Sequence, residues 1–138
     1  MNREKIMEYL PHRPPMLLVD FTEVIGDEAV GYYDVKGDEW FLQGHFPENP
    51  VVPGVILLEI AGQISSALLS DSIKGKTPYF TGIDKVRFKS PVKPGDRATV
   101  RAKIIKQIKS VFILSCTAYG SDDRVLFSGQ LTFAIVER

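Results

Sequence analysis

Two side chains in this sequence have the types expected for acid–base chemistry, His45 and Glu59, and 14 positions separate them. Imidazole is the usual side chain for taking a proton near neutral pH. Glu59 lies in a long apolar run, where desolvation is expected to raise the pKa of its carboxyl group and to favour the protonated form. A buried carboxylic acid of this kind can protonate a departing hydroxyl group. The pair therefore predicts acid–base chemistry beside an apolar pocket.

His45 lies in a loop that proline makes rigid. Residues 41–53 contain three prolines within seven positions, which excludes a helix or a central strand there. Gly44 permits close backbone approach just before the histidine. A lone histidine is more often structural than catalytic, so both interpretations of His45 stay open at this point. The other histidine, His12, is far from the apolar run in sequence, and we interpret it as structural.

The apolar run at 54–69 predicts one long helix with a narrow polar stripe. At 3.6 residues per turn, the stripe consists of side chains at i, i+4, i+7 and i+11, namely Glu59, Gln63, Ser66 and Ser70. Such a stripe either faces water or lines a buried site, and the pattern alone allows both. Gly54 begins the helix directly after Pro53, so its N–H group lies at the positive end of the helix dipole. A donor there can polarise a carbonyl group and stabilise an enolate-like charge.

The remaining chain predicts mainly strands. A short helix is expected at 2–10 with Asn2 as its N-cap, and strands are expected at 16–25, 28–35, 79–89, 97–104, 111–119 and 125–136. The last four strands are consecutive and expected to be joined by hairpins. This order predicts an α+β fold in which about six strands curl around one long helix, in a single domain over 1–138. A lone sheet is not expected to cover so apolar a helix, which predicts at least a dimer.

Composition limits the function classes. Hydrophobic residues make up 44% and charged residues 25% of the chain, values that are ordinary for a globular domain. The single cysteine and the absence of a signal-peptide pattern predict a cytoplasmic protein. The polar residues Glu59 and Gln63 argue against a membrane span. The sequence contains no metal-binding or nucleotide-binding motif, and no aromatic–basic pattern typical of nucleic-acid binding, so we expect neither cofactor nor nucleic acid.

Charge is balanced overall but separated along the chain. Residues 1–60 hold 11 acidic and 4 basic side chains, whereas residues 84–109 hold 9 basic and 2 acidic ones. A basic region of this kind either steers an acidic partner or simply faces solvent. The candidate partner-binding cations alternate along two predicted strands and are Lys85, Arg87, Lys89, Arg97 and Arg101.

The segment from Phe41 to Gln63 resembles a known signature. It reads FLQGHFPxxPVVPGVxxxExxxQ and is similar to that of the 3-hydroxyacyl-ACP dehydratases of the FabZ type. The N-terminal LPHRPPMLLVD at 10–20 and the later GIDKVRFK at 82–89, with PGD at 94–96, also resemble motifs of this family. The resemblance extends over essentially the whole chain.

The resemblance implies a hot-dog fold and the dehydration of (3R)-3-hydroxyacyl-ACP to trans-2-enoyl-ACP, without metal or organic cofactor. It implies that His45 takes the C2 proton and that Glu59 of a partner subunit serves the C3 hydroxyl group. It further implies that the Gly54 N–H group holds the thioester carbonyl group and that Gln63 orients Glu59. The substrate is expected to lie along residues near this site that include Phe46 and Val55.

The family also implies partners. Its members form homodimers, and three dimers often form a hexamer. Acyl carrier proteins are acidic, which gives the basic residues a candidate partner.

Tyr79 and Phe80 are candidates for the mouth of the substrate tunnel because they precede the basic strand.

Two local departures from the family pattern lie beside the predicted site. Glu48 stands where a small residue is common, and the segment 60–62 reads IAG where a sequence of the AMA type is commoner. These departures bear on chain-length preference and rate more than on reaction type.

The alternatives on the same fold are an acyl thioesterase, which uses water as nucleophile, and a non-catalytic protein that binds acyl thioesters.

Overall fold

The structure is a computed structural model that describes residues 1–137. A short helix (α1, Arg3–Ile6) precedes two strands (β1, Phe21–Ile25; β2, Glu28–Asp34) and a 3₁₀ turn at Trp40–Leu42. The central helix comprises α2 (Gly54–Ser65), a 3₁₀ turn (Ser66–Leu69) and α3 (Ser70–Ile73). Four strands follow, which are β3 (Lys76–Phe88), β4 (Arg97–Ile108), β5 (Val111–Tyr119) and β6 (Val125–Glu137).

The strands form one antiparallel sheet in the order β1-β2-β4-β5-β6-β3. The predicted six-stranded sheet around one long helix, the hot-dog arrangement, is therefore confirmed. The prediction that the last four strands are all linked by hairpins is wrong, because β3 pairs with β6 and not with β4. The turn at 90–96 carries the chain from the β3 edge to the far side of β5, where β4 pairs with β2.

Several predicted boundaries shift. Asn2 caps α1 as predicted, since its side chain accepts a hydrogen bond from the Lys5 N–H group, but the helix is only one turn long. Regular strand pairing starts at Phe21, and in the segment before it Asp20 already bonds to β2, from its N–H group to the Tyr32 carbonyl oxygen at 2.9 Å. The central helix continues four residues beyond the predicted end, and β3 starts at Lys76, three residues early. Strand β4 extends to Ile108, where it leaves the core and its side chains become exposed.

The central helix is covered within a single chain. The sheet packs on one side of α2, and the segment before β1 packs on the other, with Leu10, Leu17 and Leu18 at most 2% exposed. Two hydrogen bonds join this segment to the helix, from the Leu18 N–H group to Gln63 Oε1 at 2.6 Å and from Gln63 Nε2 to the Met16 carbonyl oxygen at 2.7 Å. The sheet alone does not cover the helix, as expected. The N-terminal segment provides the second layer within the chain, so the burial of the helix does not by itself require the predicted second subunit.

The stretch Gly54–Ile73 is long and apolar enough to span a membrane by length and composition alone. Within the domain, however, 67% of its most apolar window is buried. Its polar stripe is buried too, with Gln63 2% and Ser66 4% exposed. The helix is thus the core element of the domain, and of the two interpretations of the stripe, the buried one holds at these two positions.

Candidate active site

The His45 side chain is held by its own loop. Its Nδ1 atom lies 3.0 Å from the Val51 carbonyl oxygen, and the His45 carbonyl oxygen accepts a hydrogen bond from the Val51 N–H group at 2.9 Å. A carbonyl oxygen can only accept, so in this contact Nδ1 carries the proton and Nε2 of the neutral ring has a free lone pair. The ring also stacks on Phe46 at a centroid distance of 4.5 Å. His45 is therefore oriented with a basic nitrogen that can accept a proton.

The N-terminus of α2 follows this loop. Pro53 is the N-cap and offers no side-chain cap. The N–H groups of Ile56 and Leu57 both reach the Pro53 carbonyl oxygen, whereas the Gly54 N–H group has no hydrogen-bond partner within residues 1–137. The Phe88 ring packs so close that a Cβ atom on residue 54 would lie 3.0 Å from it. Glycine is needed here for packing, and its N–H group is available to a ligand.

Glu59 lies on the wall of a cavity of about 180 Å³ between α2, the segment before β1 and strand β3. Most of the lining is apolar, and the predicted mouth residues Tyr79 and Phe80 both belong to it. Gly62 brings the helix close to two aromatic rings, since a Cβ atom there would lie 2.7 Å from Phe80 and 3.1 Å from Phe133. The cavity therefore has the apolar character of an acyl-chain site and holds one carboxylate.

Two donors contact the same oxygen of Glu59. Gln63 Nε2 donates to Oε2 at 2.8 Å, and His12 Nε2 lies 3.2 Å from Oε2. Gln63 is itself held by the Leu18 N–H group at 2.6 Å and by the Met16 carbonyl oxygen at 2.7 Å. The predicted contact between Gln63 and Glu59 is thus present in the fold.

The predicted rise in the pKa of Glu59 is wrong. Burial raises the pKa of this carboxyl group, but the hydrogen bonds from His12 and Gln63 and the charge of His12 together outweigh burial. The pKa of Glu59 lies below its usual value as a result, so the group is a carboxylate at neutral pH in the empty site.

His12 is the residue that sequence reasoning missed, since we interpreted it as a structural histidine remote from the helix. The signal was present in the sequence, because His12 belongs to the N-terminal motif on which the family resemblance partly rested. Its distance along the chain from Glu59 concealed the contact, which depends on how the segment before β1 folds over α2.

His45 and Glu59 do not meet within one chain. Among residues 1–137 no hydrogen bond or ion pair joins them, and the Glu59 cavity contains neither His45 nor Gly54. Gly54 instead lines a separate concavity with Phe88. The predicted substrate-contacting side chains of Phe46 and Val55 are 55% and 72% exposed and lie outside the Glu59 cavity. The candidate residues thus form two groups on one chain.

The predicted basic surface is divided. Strands β3 and β4 are separated in the sheet by β5 and β6, so their basic side chains lie about 14 Å apart. On β4, Arg97 bonds to Asp34 at 2.7 Å and Arg101 bonds to Glu28 at 2.9 Å. On β3 a bulge interrupts the expected alternation. The three predicted cations at its end are nevertheless exposed and form no ion pair within residues 1–137; they are Lys85 and Arg87 on the strand and Lys89 directly after it.

Other reactive groups are weak candidates. Cys116 is buried, and burial raises the pKa of its thiol to about 12, so it is a packed core residue as predicted. Within residues 1–137 no group of three or more His, Cys, Asp or Glu side chains is arranged to hold a metal ion. The reactive groups that the candidate residues present are imidazole, carboxylate and backbone amide groups.

Comparison with known proteins gives strong matches. The family model for a FabA-like domain matches residues 10–129. The chain is 46% identical to the 3-hydroxyacyl-[acyl-carrier-protein] dehydratase FabZ of Caldicellulosiruptor bescii, over 97% of this chain and 98% of that protein. It is 47% identical to the FabZ of Clostridium perfringens strain SM101, over 98% of this chain and 99% of that protein.

Solved structures give the same fold at lower identity. The dehydratase heterocomplex ApeI:P from Xenorhabdus doucetiae matches with a TM-score of 0.79 and 19% identity, over 96% of this chain and 91% of that chain. A hypothetical thioesterase from Streptococcus pneumoniae, solved with coenzyme A, matches with a TM-score of 0.64 and 13% identity, over 86% of both chains. At these identities the likeness concerns the fold alone.

The lowered pKa of Glu59 predicts a pH dependence of stability. The usual pKa is 4.5 and the folded value is lower, so the stability from ionised Glu59 is present above about pH 4.5 and is lost as the pH falls through the folded pKa. We expect the free energy of unfolding, measured with urea, to decrease as the pH is lowered below about 5, and this decrease should be less steep in Glu59→Gln than in the wild type. Glu48→Gln, an exposed carboxylate on the loop, should keep the wild-type slope. Equal slopes for wild type and Glu59→Gln would contradict this assignment.

Proposed function

The chain belongs to the FabA-like family, as a FabZ-type 3-hydroxyacyl-[acyl-carrier-protein] dehydratase of fatty acid synthesis, and we propose that His45 of one subunit and Glu59 of another catalyse the elimination. The reaction breaks the C2–H and C3–O bonds of the 3-hydroxyacyl thioester, forms the C2=C3 double bond and releases water. The observation that supports these roles best is the placement of Glu59, a carboxylate held by two donors on the wall of an apolar cavity.

His45 is proposed as the base. With Nδ1–H donating to the Val51 carbonyl oxygen, Nε2 is the nitrogen that accepts the C2 proton. The same hydrogen bond keeps the ring oriented while the imidazolium ion forms. The proline-rich loop keeps the ring from turning away, which lowers the entropy cost of reaching the reactive geometry.

Glu59 is proposed to serve the departing C3 hydroxyl group. As a carboxylate it can accept a hydrogen bond from the substrate hydroxyl group and orient it. An acyl chain that fills the cavity displaces water from around the carboxyl group, and this desolvation shifts its pKa back towards the protonated form, so that the group takes up one proton from solvent. The carboxylic acid then gives this proton to the oxygen as the C3–O bond breaks, and the proton taken from C2 leaves His45 for solvent once the product has gone.

The thioester carbonyl group is assigned to the Gly54 N–H group. Charge develops on this oxygen when C2 loses its proton, and an unpaired N–H group at a helix N-terminus stabilises such charge. Gln63 acts on Glu59 and not on the substrate, since its amide group is fully occupied by Glu59, Leu18 and Met16. Phe46 and Val55, exposed beside the loop and the helix start, are proposed to contact the substrate once a second subunit covers them.

A homodimer is proposed as the catalytic unit, because the two groups of site residues do not meet in one chain. Strand β3 is an edge of the sheet and carries large exposed apolar side chains, with Tyr79 55%, Ile83 49% and Phe88 53% exposed. An unpaired edge with apolar side chains is a natural surface for a second copy. Three such dimers would form the hexamer that the family resemblance implies.

The acyl carrier protein is proposed to dock on the exposed cations at the end of β3 and directly after it, namely Lys85, Arg87 and Lys89. Lys89 lines the concavity that contains Gly54 and Phe88, so an acidic carrier there lies beside the proposed site of the thioester carbonyl group. Arg97 and Arg101 were predicted to share this role, but their carboxylate partners in the sheet make them poorer candidates.

The protein is proposed to act in the cytoplasm as one domain over 1–138, without metal or organic cofactor.

Substitution of either proposed catalytic residue should abolish dehydration. We expect His45→Ala and Glu59→Gln each to lower kcat/KM by about 10²- to 10⁴-fold, the usual contribution of a general acid or base. The assay follows enoyl absorbance with a 3-hydroxyacyl-ACP substrate, while Ellman's reagent reports any free thiol that a thioesterase would release. Glu23→Gln, which changes an exposed carboxylate on β1, serves as the control and should keep wild-type rates. Near-wild-type turnover in either variant with an unchanged oligomer would refute these roles.

The docking proposal predicts a charge effect on KM. Arg87→Glu should raise the KM for the acyl-ACP by about 5- to 20-fold at low salt and leave kcat nearly unchanged, because steering acts before the chemical step. The difference should shrink as salt rises. Lys106→Glu makes the same charge change on β4 and should leave KM unchanged. Equal effects of the two substitutions would contradict docking on β3.

A further inference from the structure

His12 reaches the proposed catalytic carboxylate from a distant part of the chain. It lies in the segment between α1 and β1, 47 positions before Glu59, and this segment folds over the central helix. The His12 Nε2 atom lies 3.2 Å from Glu59 Oε2, and both side chains line the apolar cavity. A histidine in this place is part of the site, although no step described so far uses it.

The contact with Glu59 determines the orientation of the His12 ring. The Nδ1 atom is buried, and no atom of residues 1–137 forms a hydrogen bond with it. A buried polar atom without a hydrogen-bond partner is unfavourable, because nothing compensates for the water that it loses. A histidine that served only local structure would use both nitrogen atoms, whereas this ring directs its one polar contact at the carboxylate. The ring orientation that places Nε2 against Glu59 therefore leaves Nδ1 buried without a partner, which is locally unfavourable.

The two donors leave one carboxylate oxygen available. His12 and Gln63 both contact Oε2, and within residues 1–137 no residue contacts Oε1. The terminal torsion of a glutamate is broad and easily rotated, so a carboxylate with one donor can turn. Two donors on the same oxygen from different directions fix the plane of the group. Oε1 is then the oxygen presented to a substrate.

His12 is also the cation-forming group in contact with Glu59. On its own segment, Arg13 is occupied by the backbone carbonyl oxygens of Met7, Leu10 and His12, and Tyr9 is buried with a raised pKa, so it stays neutral. From β3, the titratable group on the cavity is the phenol of Tyr79. No other side chain of these elements that can carry a positive charge contacts Glu59 within residues 1–137.

We infer that His12 is a positioning residue for the dehydration: it holds Oε2 of Glu59 so that Oε1 meets the C3 hydroxyl group, and it favours the ionised carboxylate before the substrate enters. This inference rests on the proposed role of Glu59. His12 does not touch the substrate in this arrangement. Its effect on turnover passes entirely through the orientation and charge of the glutamate.

Three variants separate positioning from simple stabilisation. His12→Ala removes the contact, and we expect kcat to fall about 10- to 100-fold with KM nearly unchanged, as for a misplaced catalytic group. His12→Gln keeps an N–H donor where Nε2 lies, so we expect it to recover kcat to within about 5-fold of the wild type. Thr22→Val removes a buried hydrogen bond to the same helix away from Glu59, and should lower stability while leaving kcat unchanged.

A direct titration completes the test. In protein labelled with ¹³C at glutamate carboxyl groups, we expect the pKa of Glu59 to rise in His12→Ala and to stay unchanged in Thr22→Val. An unchanged pKa of Glu59 in His12→Ala, or a kcat within about 2-fold of the wild type, would overturn the inference. If His12→Ala does not fold, His12→Gln decides: a kcat as low as that of Glu59→Gln overturns positioning. Wild-type turnover in Glu59→Gln would instead refute the proposed function, which is a separate outcome.

Discussion

The hydrogen bonds of the Gln63 side chain hold the site and the fold together. This amide is 2% exposed, and its three bonds join the central helix to the backbone at Met16 and Leu18 and to Glu59. The N-terminal segment can cover the apolar helix only in this register, because any other would leave a buried amide unpaired. The same register brings His12 to the carboxylate. The hydrogen bonds of Gln63 therefore determine both the packing of the core and the position of the Glu59 carboxyl group.

A second constraint follows from separating the reactive groups along one chain. The loop and helix N-terminus provide His45 and the Gly54 N–H group, whereas the middle of the helix provides Glu59 in a different concavity. Each group is rigid on its own, by proline and backbone hydrogen bonds in one case and by buried side-chain contacts in the other. Pairing across a subunit interface would join two rigid halves without either having to flex. The exposed apolar edge at β3 is consistent with such pairing.

The sequence predicted the elements well and their contacts less well. Alternation of apolar residues located all six strands, and the polar stripe on the helix identified Glu59 and Gln63 as neighbours. Strand order escaped prediction, because β3 pairs with β6 although β4 and β5 lie between them in the chain, and no local pattern encodes such a pairing. The pKa of Glu59 was predicted in the wrong direction for a similar reason. Burial is visible in an apolar run, but a histidine 47 positions away is not.

Subunit complementation is the most direct test of the claim that each active site is shared between two subunits. His45→Ala and Glu59→Gln proteins would be purified separately, dissociated, mixed in equal amounts and reassembled. If each site takes its histidine from one chain and its glutamate from the other, a mixed dimer has one intact site, and a random mixture should recover about a quarter of wild-type activity. Activity no greater than that of the two separate variants, with mixed dimers demonstrated by mass spectrometry, would contradict a site shared between subunits.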